Sequence, residues 1–126
     1  MHSIINSTGS LFLNNKTQAV RLKRDVAFAD NPKHLVAYRL FDGESQILTL
    51  VKEEDALDYL SYINKKHNIP QEEMEKDSKR VSVFFNNTTQ SVRIPVSLRF
   101  DENVTHVSVT STVFGDNKKF LTLQAM

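Results

Sequence analysis

The chain has 126 residues, with 16 Lys and Arg against 15 Asp and Glu, a formal net charge of +1 and no cysteine. Near-neutrality removes bulk electrostatics as an argument for or against a nucleic-acid partner. The missing cysteine excludes a disulfide framework and any thiolate metal or redox centre.

From the N-terminus, residues 1–8 lack the apolar core of a signal peptide, and no apolar run approaches the ~18 residues of a membrane-spanning helix, so a cytoplasmic protein without membrane contact is expected. Leu11-Phe12-Leu13 is a short apolar run ended by Asn14-Asn15, and residues 18–22 follow at once, which predicts two brief strands around a polar turn. Residues 24–28 leave room only for a helical turn or an irregular link. Residues 35–41, then Asp42-Gly43, then residues 46–51 give the strongest local signal, because Asp-Gly between two β-rich runs favours a tight hairpin. Residues 53–67 open with acids and close with bases, the sense the helix macrodipole favours, and Leu57, Leu60 and Ile63 recur at helical spacing. One amphipathic helix is predicted there, stopped by Pro70 and followed by a polar tether over 71–80. A last hairpin is predicted from residues 106–113, the turn Gly115-Asp116-Asn117, and a return strand over 119–123. Val107, Val109 and Val113 alternate with Ser108, Thr110 and Thr112, as in a half-buried strand.

The later elements copy the earlier ones. Residues 10–28, SLFLNNKTQAVRLKRDVAF, return about 72 positions later as residues 82–100, SVFFNNTTQSVRIPVSLRF. The copies stay in step through Asn31 and Asn103, His34 and His106, and Gly43 and Gly115. They slip by one residue before Leu48-Thr49-Leu50 meets Leu121-Thr122-Leu123. The chain therefore divides into repeat 1 (9–52), an acidic helical linker (53–80) and repeat 2 (81–126). A unit of about forty residues buries too little surface to be stable alone. The halves must share a core, within one chain or across a homodimer. Charge follows the same division. Lys16, Arg21, Lys23, Arg24, Lys33 and Arg39 lie in repeat 1, while the linker holds most of the acids.

The recurrent polar cluster is Asn14, Asn15, Thr17, Gln18 and Arg21 against Asn86, Asn87, Thr89, Gln90 and Arg93. Asn and Thr suit a turn for local hydrogen-bonding reasons; a turn requires neither Gln18 nor Arg21, which leaves a ligand surface as the second reading. The stripe Leu57, Leu60 and Ile63, with Tyr59 and Tyr62, either packs on the protein's own sheet or offers a surface to another protein. No enzyme, cofactor or metal is expected. His34 and His106 recur without a partner carboxylate and read as strand-edge surface residues, and His2 and His67 do not recur. There is no Gly-rich phosphate loop and no His pair at metal-ligand spacing.

The runs Asn-Asn-Lys-Thr-Gln-Ala-Val-Arg-Leu in repeat 1 and Asn-Thr-Thr-Gln-Ser-Val-Arg-Ile-Pro in repeat 2, with Leu98-Arg99-Phe100 following, resemble the DNA-binding domain of VapB-type antitoxins, in the AbrB and MazE swapped-hairpin group. The resemblance covers about two-thirds of the chain and is most specific in Gln-x-Val-Arg. It implies a mainly β fold with a connecting α-helix, in which two units interleave hairpins into one small β-barrel. Usually two chains supply the units; the tandem implies a monomeric pseudo-dimer, with a homodimer as the alternative. It also implies an operator-binding regulator whose face on double-stranded DNA comprises Asn14, Asn15, Lys16, Thr17, Gln18, Arg21, Lys23 and Arg24 with Asn86, Asn87, Thr88, Thr89, Gln90 and Arg93. Lys and Arg neutralise phosphates there, and Asn and Gln pair with adenine edges. For Arg21 and Arg93 the plainer alternative is a barrel-edge ion pair. Lys23 stands where the family commonly has Pro, and Thr88 where it has a turn cation, so unequal DNA faces are expected. Such antitoxins carry a toxin-wrapping tail, for which little chain follows Leu123. Any ribonuclease toxin is then expected to meet the linker helix at Leu57, Tyr59, Leu60, Tyr62 and Ile63, and the alternative function is a protein-binding antitoxin or inhibitor module that acts through this helix with weak or no DNA binding.

Overall fold

The computed structural model describes residues 4–22, 28, 32–42, 45–67, 79–86, 88–115 and 118–126. The strands are β1 (Ile4–Asn14), β2 (Ala19–Arg21), β3 (His34–Asp42), β4 (Ser45–Lys52), β5 (Lys79–Asn86), β6 (Ser91–Arg93), β7 (His106–Phe114) and β8 (Lys118–Ala125). A 3-10 turn over Glu53–Asp55 leads into α1 (Ala56–His67), and a second 3-10 turn spans Val96–Leu98. The strands close into an antiparallel barrel in the order β1-β2-β6-β5-β3-β4-β8-β7.

Around that ring, interfaces within a repeat alternate with interfaces between repeats. β1 pairs β2 of its own repeat and β7 of the other, while β5 pairs β6 of its own and β3 of the other. The pairing is unchanged when the repeats are exchanged: Leu11 faces Val107 as Val83 faces Leu35. A pseudo-two-fold axis follows, crossing Val20 opposite Val92 at one wall and Thr49 opposite Thr122 at the other. In the ring the β2·β6 and β4·β8 walls lie diametrically apart.

Alternation builds the interior. Leu11, Leu13, Val20 and Leu22 of repeat 1 meet Val83, Phe85, Val92 and Ile94 of repeat 2 in one buried cluster, joined by Leu35, Leu48, Leu50, Val107, Leu121 and Leu123 from the hairpins. The predicted hairpins are present as β3 with β4 and β7 with β8. Gly115 takes a φ of +57°, a left-handed conformation that suits glycine in the second turn. Gly43, Asp116, Asn117, Pro70, and most of the 24–28 link and of the 71–80 tether lie outside the described residues.

Two features differ from the sequence expectation. β1 begins at Ile4 rather than at Leu11. Residues 4–10 have no apolar period, and their strand follows from pairing with β7, which runs from Ile4 opposite Val113 to Phe12 opposite His106. The helix stripe is also rotated. Ala56, Tyr59, Leu60 and Ile63 are buried, whereas Leu57 is 70% exposed. The wide row i, i+3, i+4, i+7 tracks one helix face, and 57-60-63 drifts off it.

The helix packs outside the barrel on Val36, Tyr38, Val51, Phe114 and Phe120. Its side is chosen by outward residues. Val36 and Tyr38 on β3 are apolar, whereas their counterparts on β7 are Ser108 and Thr110. Lys118 Nζ, 2.6 Å from Asp58 Oδ2, pins the helix to β8. No helix among the described residues is long and apolar enough to cross a membrane.

Candidate functional site

The recurrent polar runs become two related turns at the β2·β6 wall. In each, the first Asn closes the turn: Thr17 N–H donates to Asn14 Oδ1 (3.4 Å), and Thr88 and Thr89 N–H donate to Asn86 Oδ1 (3.0 and 3.2 Å). Gln18 and Gln90 then adopt φ of 56° and 55°. A side chain pays an energetic penalty in that left-handed region, so something must hold it there.

For Gln18 the hold is visible. Its buried amide accepts from Phe100 N–H through Oε1 (3.0 Å), and Nε2 donates to the Asn15 carbonyl (3.1 Å). Beside it, Asn15 Nδ2 donates to the carbonyls of Asp101 (2.8 Å) and Val104 (2.9 Å). The turn of repeat 1 is thereby fastened to the link of repeat 2. Gln18→Ala should destabilise the chain by about 2–3 kcal/mol, because it leaves the Phe100 N–H without its acceptor in a buried site. Gln18→Gly relieves the backbone strain and should cost less. Chemical denaturation midpoints measure both, and an Ala change below ~0.5 kcal/mol would contradict this role.

The arginines fasten the opposite turns. Arg21 Nε donates to the Thr89 carbonyl and Arg93 Nε to the Thr17 carbonyl, each at 3.1 Å. Leu22 N–H and Ile94 N–H reach the carbonyls of Gln90 and Gln18 (2.8 Å each). Each Nε therefore meets a carbonyl, whereas a barrel-edge ion pair would require a carboxylate. Both arginines are exposed on the same face of the wall but lie diagonally across the pseudo-axis, because Ala19 faces Arg93 and Arg21 faces Ser91, and each side chain runs outward to the opposite turn, away from the other.

Of the other expected DNA-face residues, Lys16, Thr17, Thr88 and Thr89 are exposed and Gln90 is half-buried. Lys23, Arg24 and Asn87 lie outside the described residues. Of the helix residues, Tyr59, Leu60 and Ile63 are buried against the barrel, Tyr62 is half-buried with its ring 5.4 Å from Phe114, and Leu57 is exposed.

One recurrent pair escaped the sequence reading. Phe12 and Phe84, 63% and 66% exposed, occupy equivalent outward positions of β1 and β5. Their rings meet His106 and His34 edge-on at 5.8 and 6.2 Å. Continuing the strand register sets Phe12 beside Arg21 and Phe84 beside Arg93. The signal was present: a Phe two residues before the first Asn, between buried neighbours, occurs in both copies. His34 and His106 thus sit at strand starts, and no group of three or more His, Asp or Glu able to hold a metal occurs among the described residues.

No model of a known protein family matches the chain, and no curated protein is significantly similar to it.

Proposed function

We propose that the chain is a DNA-binding transcriptional regulator of the antitoxin type, in which the tandem forms an intramolecular pseudo-dimer like the swapped-hairpin domain of VapB-type antitoxins. The observation that carries this reading is the pair Arg21 and Arg93, related by the pseudo-axis on one face of the β2·β6 wall and each oriented by the other repeat's turn. A two-fold arrangement of cations suits an operator with two related half-sites. Lys16, Thr17, Thr88 and Thr89 are the exposed turn residues available to phosphates. Lys16 has Thr88 as its counterpart, so the half-sites are held unequally.

In the second reading a ribonuclease toxin docks on the helix. Leu57 favours it as a large exposed apolar side chain, while the buried Tyr59, Leu60 and Ile63 serve the barrel.

The operator reading is tested by anisotropy titration against the DNA upstream of the gene over a range of salt. Arg21→Ala and Arg93→Ala should each weaken binding, and together flatten the slope of log K against log salt by about two. Arg→Lys variants, which keep the charge and lose the Nε bond, separate phosphate binding from turn orientation. No binding at low salt, or an unchanged slope in the double variant, rules the reading out.

A further inference from the structure

One exposed phenylalanine on a protein surface is ordinary. Two at equivalent positions of a duplicated sheet, each beside an arginine, form a pattern. On the outer wall made by β1, β2, β6 and β5, the outward rows run Phe12, Arg21, Ser91, Asn86 and Asn14, Ala19, Arg93, Phe84. Neither row contains a carboxylate. The small neighbours leave space against each ring: an open groove of about 630 Å³ lies between Phe12, Ser10, Ala19 and Arg21, and one of about 500 Å³ between Phe84, Ser82, Ser91 and Arg93.

The polar groups nearby are largely committed. Gln18 and Asn15 commit their amides to the link of repeat 2, and Asn14 and Asn86 close the turns. What the wall offers outward is aromatic faces and guanidinium groups. That is the chemistry that takes up unstacked bases and the phosphates joining them, since every base has a π face and stacking needs no edge readout. A duplex covers those faces; a single strand exposes them and bends to follow a convex wall. The two rings stand three strand spacings and two residues apart, roughly 16 Å at ~4.8 Å per strand and ~3.3 Å per residue, with the strands that carry the arginines between them.

We propose that Phe12 and Phe84 are stacking platforms for unpaired bases, and that the β1-β2-β6-β5 wall binds single-stranded nucleic acid with Arg21 and Arg93 on the phosphates between two stacked bases. The proposal shares those arginines with the operator reading and does not depend on it.

The experiment uses the full chain with fluorescein-labelled oligothymidylate and oligouridylate at about 50 mM salt, and the upstream duplex in parallel. Phe12→Ala and Phe84→Ala should each weaken single-strand binding about tenfold or more, with Phe→Tyr variants retaining it. Both rings are exposed, so unchanged thermal melts should accompany the loss. The chain has no tryptophan, so Phe12→Trp supplies a unique emitter that a stacked base quenches. Preference between the two oligomers identifies DNA or RNA as the source. Single-strand affinity that is absent, or indifferent to both Ala substitutions, overturns the proposal, as does an unquenched tryptophan at saturation. Loss confined to the duplex also overturns it, and makes the rings wedges between base pairs. Single-strand binding without duplex binding upholds it and removes the operator reading instead.

Discussion

Separating the repeats by cutting the chain between His67 and Lys79 should abolish folding of either half as a monomer. Alone, residues 1–67 retain β1 with β2 and β3 with β4, two hairpins that do not pair with each other. Every contact that joins those hairpins into a barrel is made through the other half: β1·β7, β3·β5, β2·β6 and β4·β8. An isolated hairpin is marginal in water. Mixing the two halves should restore the barrel at a concentration-dependent stability, since a tether supplies an effective concentration near the millimolar range. At about 10 µM of each half the missing tether corresponds to about 3 kcal/mol. Far-UV circular dichroism with sedimentation reads both effects. A residue 1–67 fragment that melts cooperatively as a monomer would contradict the interleaved topology. The intact chain should instead melt at a temperature independent of its concentration, with the mass of one chain by light scattering.

The fold was legible where sequence period and duplication spoke together. Alternation in residues 106–113 placed Val107 and Val109 inside, and the size argument required a shared core, which the alternating interfaces supply. It was less legible where long-range pairing makes the structure. Ile4 to Ser10 carries no strand period, and only β7 beside it makes it a strand. The helix and most of its buried face were foreseen in Leu60 and Ile63 with Tyr59, but aliphatic spacing also enlisted Leu57, which the aromatic floor of Tyr38, Phe114 and Phe120 leaves outside.

At the polar turns, residue type suggested a local turn role for Asn14, and the resemblance put Asn14, Asn15 and Gln18 together on an outward face. Asn14 closes its turn, whereas Asn15 and Gln18 cross to repeat 2, because a left-handed Gln and the Phe100 N–H both need a partner. The arginines were legible as a recurrent pair, although their bonds to the opposite turns depend on a strand exchange that no local pattern encodes. Phe12 and Phe84 read as members of apolar runs. Only the pleat, which buries Leu11, Leu13, Val83 and Phe85, shows that these two rings face out.

Tyr59→Ala should be the most damaging single substitution on the helix, at about 3–5 kcal/mol, a large part of the ~5–15 kcal/mol that holds a domain of this size. The Tyr59 ring is fully buried, with centroids 4.9 Å from Phe120 and 5.3 Å from Tyr38. Its hydroxyl meets Thr49 Oγ1 at 3.2 Å, on the strand position that faces Thr122 across the pseudo-axis. Truncation leaves a cavity over the β4·β8 wall and unpairs that contact, whereas Tyr59→Phe removes only the hydroxyl, at about 1 kcal/mol. The two variants also differ in alkali. Burial, partly opposed by the Thr49 hydrogen bond, pushes the Tyr59 phenol up to about 12, against about 10 in the unfolded chain. The fold therefore keeps the proton more tightly than the unfolded state does. The stabilisation is complete below pH ~10 and is lost as pH rises from there through about 12, with a total near 3 kcal/mol. Subtracting Tyr59→Phe from wild type across that window isolates the contribution, because every other group is common to both proteins. A difference that stays constant between pH 9 and 12 would show that the phenol is not held in an apolar site, and that the helix does not seal this wall.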